Sequence, residues 1–570
     1  MPAPASDTSN HVQLPPGLAK RFYGSIILLN TLNGCFPQAR HTASTPSDLK
    51  REVGSDLAGF LCCFVDKLAQ ICDSKHGGDT VTSIAILQPG CIEYRLSSNS
   101  RSEKQFRDVK TYLAGILDSL GSVEEEALAD DSLVAELCSA ILYKVLVFNR
   151  WRVKVYVTGF LQHVEFCIGS CDDDGRPEAR LAARHFRDLQ TIAKAAEEQW
   201  PTASFAKNCH TLLYAIKERY KEFERFLRTM ARDGRGPSNE TPWTELRHAI
   251  GRLHSYSIAM PVFVEARREW PELFDKGVEI THVPSARRCG NPVRMKQSRC
   301  TGGHILRSLN ADDGVVHAYR ESAVHYKTMG VDLDANILEQ VKAENYTTVV
   351  HAELNVANSI SLEDQDPDAE EPVRFFLEHE LKERGYDRYI GSSKPTCLLC
   401  SMWLKEHPGG FGCRPTYGNL YTKWRAPDVS DDEHGELFEA RRLILEGMVT
   451  KLTSTISATI RTRTGIRRRH DSRQTPTDPF RSLRSISVRT TAGRSYVASE
   501  VGLDVDERTT EDESSQSIDA DDDDTKILEN LMEHVHVVTG IASVEGHAAT
   551  EQSGHDEDDD EDSDSGGASL

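Results

Sequence analysis

Two short stretches of the sequence decide what its central domain can be: Val350-His351-Ala352-Glu353-Leu354 and Lys394-Pro395-Thr396-Cys397-Leu398-Leu399-Cys400. Together they supply an imidazole, a carboxylate and two thiols. In zinc-dependent deaminases a His and two Cys hold Zn²⁺, a water takes the fourth position, and a Glu stays off the metal and moves protons. The pair therefore predicts that His351, Cys397 and Cys400 bind Zn²⁺ and that Glu353 is catalytic.

The specificity of this signal comes from the combination of the two stretches. His-x-Glu occurs four times, beginning at His163, His351, His434 and His555, whereas Cys-x-x-Cys occurs once. Only His351 precedes the Cys pair at a distance that fits within one domain. The order and spacing therefore select one His-x-Glu out of four.

The local sequence places both stretches where a strand gives way to a helix. Residues 347–350 are β-prone, and a helical pattern of apolar residues runs from His351 to Ile360. Residues 388–391 are β-prone as well, and they precede Cys397. Two Cys at i and i+3 in the first turn of a helix lie on one side, where the helix N-terminus favours the thiolate. Both halves of the predicted metal site thus begin helices.

Two alternatives use the same residues without catalysis. A lone Cys-x-x-Cys is also typical of a redox pair or of half of a structural zinc site. A structural site needs a fourth protein ligand, and the candidates are Cys413, or Cys300 together with His304. The number of protein ligands distinguishes the catalytic interpretation from the structural one.

The two stretches resemble the OTT_1508-like deaminase family, which is abundant in fungi and belongs to the nucleic-acid and nucleotide deaminase superfamily. The family motifs H-A-E and S-K-x-x-C-x-x-C appear here as residues 351–353 and 393–400. The later family pattern H-G-K-L-Y-x-x-W appears as residues 417–424, with Tyr417 for the family His and Asn419 for the family Lys. The resemblance covers roughly residues 310 to 430.

The resemblance implies a zinc-dependent hydrolytic deaminase that removes an exocyclic amine from a nucleobase in a nucleotide or a nucleic acid. A flipped or single-stranded base needs an aromatic surface to stack on, and the candidates nearest in sequence are Trp403, Tyr421 and Trp424. Non-catalytic alternatives are a zinc-stabilised interaction module and a nucleic-acid-binding protein.

Charge is distributed very unevenly along the chain. The formal net charge is −21, yet residues 501–570 hold 23 acidic and 2 basic side chains, so residues 1–500 balance at 65 of each. Residues 461–500 contain ten Arg, no Lys and three acidic residues. Five cations between Arg287 and Arg299 form either a phosphate-contacting loop or a solvated surface loop. Any attraction for single-stranded nucleic acid must therefore come from local clusters.

The fourteen Cys follow no regular spacing, no secretory leader is evident, and no apolar run is long enough to span a bilayer. The sequence predicts an intracellular protein, cytoplasmic or nuclear, with no membrane partner.

Apolar periodicity and composition divide the chain into four segments. We predict a flexible N-terminal segment (1–45), a mainly α-helical N-terminal domain (46–270), a zinc domain (271–460) and a disordered tail, first basic and then acidic (461–570). For the zinc domain, the resemblance to the deaminase family implies the three-layer α/β/α fold of cytidine deaminases. The predicted fold class is mixed α and β.

Overall fold

The structure, a computed structural model, describes residues 14–37, 56–88, 90–233, 241–290, 299–342, 347–366, 368, 372–383, 385, 388–416, 418–429 and 435–466. The predictions for residues 467–570 of the tail, for the cations within residues 291–298 and for Tyr417 lie outside these residues.

The secondary structure is mainly helical, as the apolar periodicity predicts for the N-terminal half. The helices are α1 (Pro16–Cys35), α2 (Leu57–Cys72), α3 (Glu103–Gly121), α4 (Asp131–Phe148), α5 (Arg150–Asp174), α6 (Pro177–Glu198), α7 (Ala203–Asp233), α8 (Pro242–Glu269), α9 (Gly302–Ser308), α10 (Asp313–Thr328), α11 (Leu333–Lys342), α12 (Ala352–Asp364), α13 (Glu378–Glu383), α14 (Leu398–Glu406) and α15 (Gly435–Thr462). The strands are β1 (Thr82–Leu87), β2 (Glu93–Ser98), β3 (Glu279–Val283), β4 (Cys289–Gly290), β5 (Thr347–Thr348), β6 (Arg388–Ser392) and β7 (Phe411–Cys413).

Five strands form one mixed sheet in the order β3-β2-β1-β6-β7. Strand β1 is antiparallel to both of its neighbours, whereas β2 with β3 and β6 with β7 are parallel pairs. Ser83 of β1 stands opposite Ser97 of β2 on one side and Ser392 of β6 on the other. The short strands β4 and β5 pair separately. The fold class of mixed α and β is confirmed.

Helices cover the sheet on both faces because successive strand residues point to opposite sides. Ala85, Leu87 and Ile390 share a hydrophobic core with residues of α12 and α14. On the opposite face α2 packs against β1 and β6. There a Cβ on Gly391 would lie 2.6 Å from the side chain of Val65, so the glycine permits this close packing. The sheet is thus the middle of three layers, with α12 on the side of the predicted zinc site.

The sheet departs from the predicted boundary at residue 270, because it joins strands from both sides of it. Strands β1 and β2 come from the segment predicted as a separate, mainly helical domain, and β6 and β7 come from the predicted zinc domain. Local periodicity shows that a strand forms but does not show with which distant strand it pairs. The N-terminal half therefore supplies part of the scaffold of the candidate site.

The structure also departs from the prediction at both ends of the folded region. Residues 16–35, predicted to be flexible, form α1, which packs against α15 and the core on the α12 side. The apolar run 26–29 explains this helix, although Pro and Ser dominate the composition before it. At the other end Ile466 donates its backbone N–H to Asn33 Oδ1 at 2.8 Å, so ordered contacts continue past residue 460.

Candidate metal centre

Two segments converge at one edge of the layered structure, and each ends as a helix begins. The histidine arm (residues 347–353) begins with β5 and contains His351, which is the N-cap residue of α12. The cysteine arm (residues 392–400) begins at the last residue of β6 and contains both cysteines, of which Cys397 is the N-cap residue of α14. Cys397 Sγ accepts the backbone N–H of Cys400 at 3.3 Å, so the first thiol caps the helix that carries the second. This confirms the two strand-to-helix transitions.

The three predicted ligands come together. His351 Nδ1 lies 3.5 Å from Cys397 Sγ and 3.3 Å from Cys400 Sγ, and all three donor atoms lie within 4.8 Å of one another. A tetrahedral zinc ion with ordinary Zn–N and Zn–S bond lengths separates its nitrogen and sulfur ligands by about 3.5 Å. The donor types and the N–S separations therefore fit a zinc ion.

The other ligand candidates lie outside this cluster. Within the described residues, the group that could hold a metal ion comprises His351, Cys397 and Cys400, and neither Cys413 nor the pair Cys300 and His304 joins it. The Cys413 thiol accepts the Thr396 hydroxyl at 3.1 Å, and burial raises its pKa to about 12. Three protein ligands leave one coordination position for a water or a substrate, as in catalytic sites.

The two thiols differ in protonation. Burial raises the pKa of Cys397, but the hydrogen bond from Cys400 and the charge of His351 outweigh burial, so this pKa lies well below its usual value. Burial and the neighbouring Cys397 thiolate hold the pKa of Cys400 well above its usual value. Cys397 is therefore the thiolate of the pair, and binding of a divalent cation would release the proton of Cys400.

His351 and Glu353 flank the thiols in different ways. Burial lowers the pKa of His351, but the Cys397 thiolate more than compensates, so the net shift is upward. Glu353 is only 4% exposed, and burial raises its pKa. Because Glu353 is absent from the ligand cluster, the structure places a buried carboxyl group beside the centre without making it a ligand.

Two supporting residues carry no motif that predicts this role. The indole N–H of Trp424 donates to Cys400 Sγ at 3.1 Å. Asn99, at the end of β2, accepts the backbone N–H of Ala352 at 2.8 Å and so caps α12 from outside the helix. His351 makes no side-chain cap of its own, which leaves its ring available for the metal. Asn99 lies 253 positions from Ala352, and no local pattern reveals such a contact.

The three aromatic residues predicted to stack on a base have different surroundings. Trp403 and Trp424 are 4% and 0% exposed and belong to the core, where their ring centroids lie 6.1 Å apart. Tyr421 is 44% exposed, and its ring meets the His351 ring edge-on at 5.8 Å. Tyr421 is thus the one of the three with a ring surface at the mouth of the centre.

A polar cleft of about 400 Å³ lies elsewhere, at the C-terminal end of α12. Ser361, Asp364, Arg388 and His407 are among the residues that line it. At about 1.5 Å per helical residue, that end of α12 is about 20 Å from His351. The cleft is therefore separate from the candidate centre.

Residues 350–428 match the sequence profile of the OTT_1508-like deaminase family. This part of the chain is therefore similar to that deaminase family. The deaminase-family region includes both arms of the centre from Val350 onward, as the motifs predict. Comparisons with curated proteins and with solved structures find no match. Among the described residues, no helix has the length and apolar character needed to cross a membrane.

Proposed function

We propose that this protein is a zinc-dependent hydrolytic deaminase that acts on a nucleobase. The observation that carries the proposal is the cluster of His351, Cys397 and Cys400, which leaves a coordination position open and has the buried, non-ligating Glu353 beside it. The match of residues 350–428 to a deaminase family supports the same reaction class.

His351, Cys397 and Cys400 would hold the ion, which supplies a coordinated water with a pKa low enough for attack at neutral pH. Glu353 would accept a proton from the attacking water and deliver protons to the ring nitrogen and to the departing amine. A C–O bond forms, the C–N bond breaks, and ammonia leaves. Burial of Glu353 keeps competing bulk water away from this transfer.

The arrangement of layers supports a cytidine-deaminase-like fold for this region. Helices α2 and α12 lie on opposite faces of the mixed sheet, and α12 and α14 present the candidate ligands at their N-termini. This proposal makes β1, β2 and α2 part of the catalytic fold, although they precede the deaminase-family region.

The surroundings of the centre favour a phosphate-bearing substrate, with a single-stranded polynucleotide slightly preferred over a free nucleotide. Strand β4 pairs with β5 in antiparallel register, with Cys289 opposite Thr348. The exposed Arg287 and Arg288, which immediately precede β4, therefore lie beside the histidine arm. Lys423 is exposed in the segment between Tyr421 and Trp424. Cations and one exposed aromatic ring at the mouth are the groups that hold a backbone and stack a base.

Ammonia release should be measured with nucleosides, nucleotides and single-stranded oligonucleotides at two salt concentrations. Wild type should release ammonia, and Glu353→Gln should abolish release while it keeps zinc. Glu165→Gln is a matched control, because Glu165 is an exposed residue in another His-x-Glu of the chain and should leave the rate unchanged. Salt inhibition confined to oligonucleotides would support the polymer.

Equal rates on free nucleotides would reject the preference for a polymer. Failure of wild type to release ammonia from any of these substrates, with zinc bound, would reject catalysis and favour the zinc-stabilised interaction module.

A further inference from the structure

Residues 73–80, which lie in the loop that connects α2 to β1, contact both arms of the candidate centre. Lys394 of the cysteine arm donates from Nζ to the carbonyl of Gly77 at 2.9 Å. Asn99, whose Oδ1 accepts the N–H of Ala352 in the histidine arm, donates from Nδ2 to the carbonyl of Gly78 at 2.8 Å. Two successive carbonyl groups therefore tie the two ligand-bearing arms to one loop.

The backbone of this loop is held in a shape that depends on glycine. Gly77 has φ +99°, in the left-handed region that residues with a side chain rarely adopt. The direction of the Gly77 carbonyl group therefore depends on this backbone conformation, which the other contacts of the loop must hold in place.

Asp73 begins the loop and fixes it from within. It is 0% exposed; Oδ1 accepts the Thr80 hydroxyl at 2.7 Å, and Oδ2 accepts the Ser393 hydroxyl at 2.9 Å. The first bond closes the loop across its ends, and the second reaches the cysteine arm four residues before Cys397. One carboxylate therefore fixes both the loop and the arm.

The helical layer supplies the countercharge. Arg152 of α5 forms an ion pair with Asp73, and its guanidinium also donates to the carbonyl of Lys75 at 3.1 Å. The buried charge of Asp73 is therefore balanced by Arg152, and the same arginine anchors the loop to the helical layer.

We infer that Asp73 is a positioning residue of the metal centre, because it fixes the 73–80 loop that holds the histidine arm and the cysteine arm in register. The inference rests on the proposed function only in that it takes the centre to bind zinc. It assigns a role to the Ser393 and Lys394 of the family motif, and it places part of the zinc site's support outside the deaminase-family region.

The test measures metal binding by the full chain and does not depend on turnover. Zinc affinity is measured by competition with a chromophoric chelator, and the Co²⁺-substituted protein reports ligand geometry through its absorption spectrum. In Asp73→Asn the zinc dissociation constant should rise about tenfold, at the lower end of the range for groups that orient metal ligands, and the cobalt spectrum should change.

Asp364→Asn is the matched control, because Asp364 also forms an ion pair, with Arg388 at the other end of β6. It should lower thermal stability but leave zinc affinity within about twofold of wild type and the cobalt spectrum unchanged. Ser393→Ala is the second variant, since it removes one hydroxyl and cuts the bond between Asp73 and the cysteine arm. It should weaken zinc binding in the same direction, and it decides the question if Asp73→Asn fails to fold.

The positioning role would be overturned if Ser393→Ala kept the zinc affinity and the cobalt spectrum of wild type. It would also be overturned if Asp73→Asn and Asp364→Asn lost equal amounts of zinc affinity. A wild-type protein that binds no zinc would overturn the proposed function together with this inference. Zinc binding without deamination, combined with the predicted loss in the variants, would overturn catalysis alone.

Discussion

Replacement of Arg152 by Met should destabilise the whole fold, because it removes the countercharge of a carboxylate that water cannot reach. Asp73 is 0% exposed, and the Arg152 side chain is 5% exposed. Breaking a buried pair by removing one partner costs about 3–5 kcal/mol. The charges of Lys394 and Arg101 also act on Asp73 and remain in the variant, so we expect about 3 kcal/mol at neutral pH.

The pH dependence of this loss follows from the pKa of Asp73. Burial alone would raise that pKa, but Arg152, Lys394 and other partners hold it below its usual value. In wild type the carboxylate therefore contributes stability above the unfolded-state pKa of about 3.9, and this contribution is lost as the pH falls below it. In Arg152→Met the folded-state pKa of Asp73 should rise, so the carboxyl group takes up a proton at a higher pH than in wild type. The difference in stability between the two proteins should be largest near pH 7.5 and shrink toward pH 4.

Urea unfolding followed by circular dichroism at pH 7.5 and pH 5 measures both effects. The double variant Arg152→Met with Asp73→Asn should lose less stability than the sum of the two single variants, because it leaves no uncompensated charge. A loss of less than about 1 kcal/mol for Arg152→Met, or the same loss at both pH values, would refute the reasoning.

Three further predictions follow from particular contacts. Trp424→Phe removes the indole N–H that donates to the second thiol of the centre, so zinc affinity should fall about tenfold by chelator competition. Trp403→Phe, at a tryptophan that is also buried, should keep the zinc affinity of wild type. Burial and nearby lysines lower the pKa of His254 from 6.5 to about 4, so about 3 kcal/mol of folding stability that is present above pH 6.5 is lost as the pH falls toward 4. His254→Leu should flatten that part of the curve of stability against pH. Deletion of residues 467–570 should leave the melting temperature unchanged, whereas deletion of 461–570 should lower it; equal melting temperatures for the two would contradict the ordered contacts at the end of α15.

The sequence predicts the centre well because its chemistry is carried by two short motifs. His351, Cys397 and Cys400 were predicted as ligands, and the structure brings their donor atoms within 4.8 Å of one another. The helix starts at both arms follow from local apolar periodicity, which a sequence displays directly. The predicted catalytic role of Glu353 is still to be tested by turnover.

The support of the centre could not be predicted, because it depends on pairings between distant segments. Asn99 and Asp73 show no motif, yet one caps the histidine arm and the other bonds to the cysteine arm from more than 250 positions away. The pairing of β1 with β6 likewise joins residues about 300 positions apart. For the aromatic residues the sequence predicts too much, because Trp424 was predicted as a stacking surface and is fully buried.

X-ray absorption at the zinc edge of the purified protein tests the central claim most directly, with Cys413→Ser measured beside wild type. The account predicts one zinc per chain with two sulfur neighbours at about 2.3 Å and two lighter neighbours at about 2.0–2.1 Å, and the same spectrum for Cys413→Ser. Three sulfur neighbours in wild type, with one lost in Cys413→Ser, would show a closed structural site and contradict the account, as would a protein that retains no zinc.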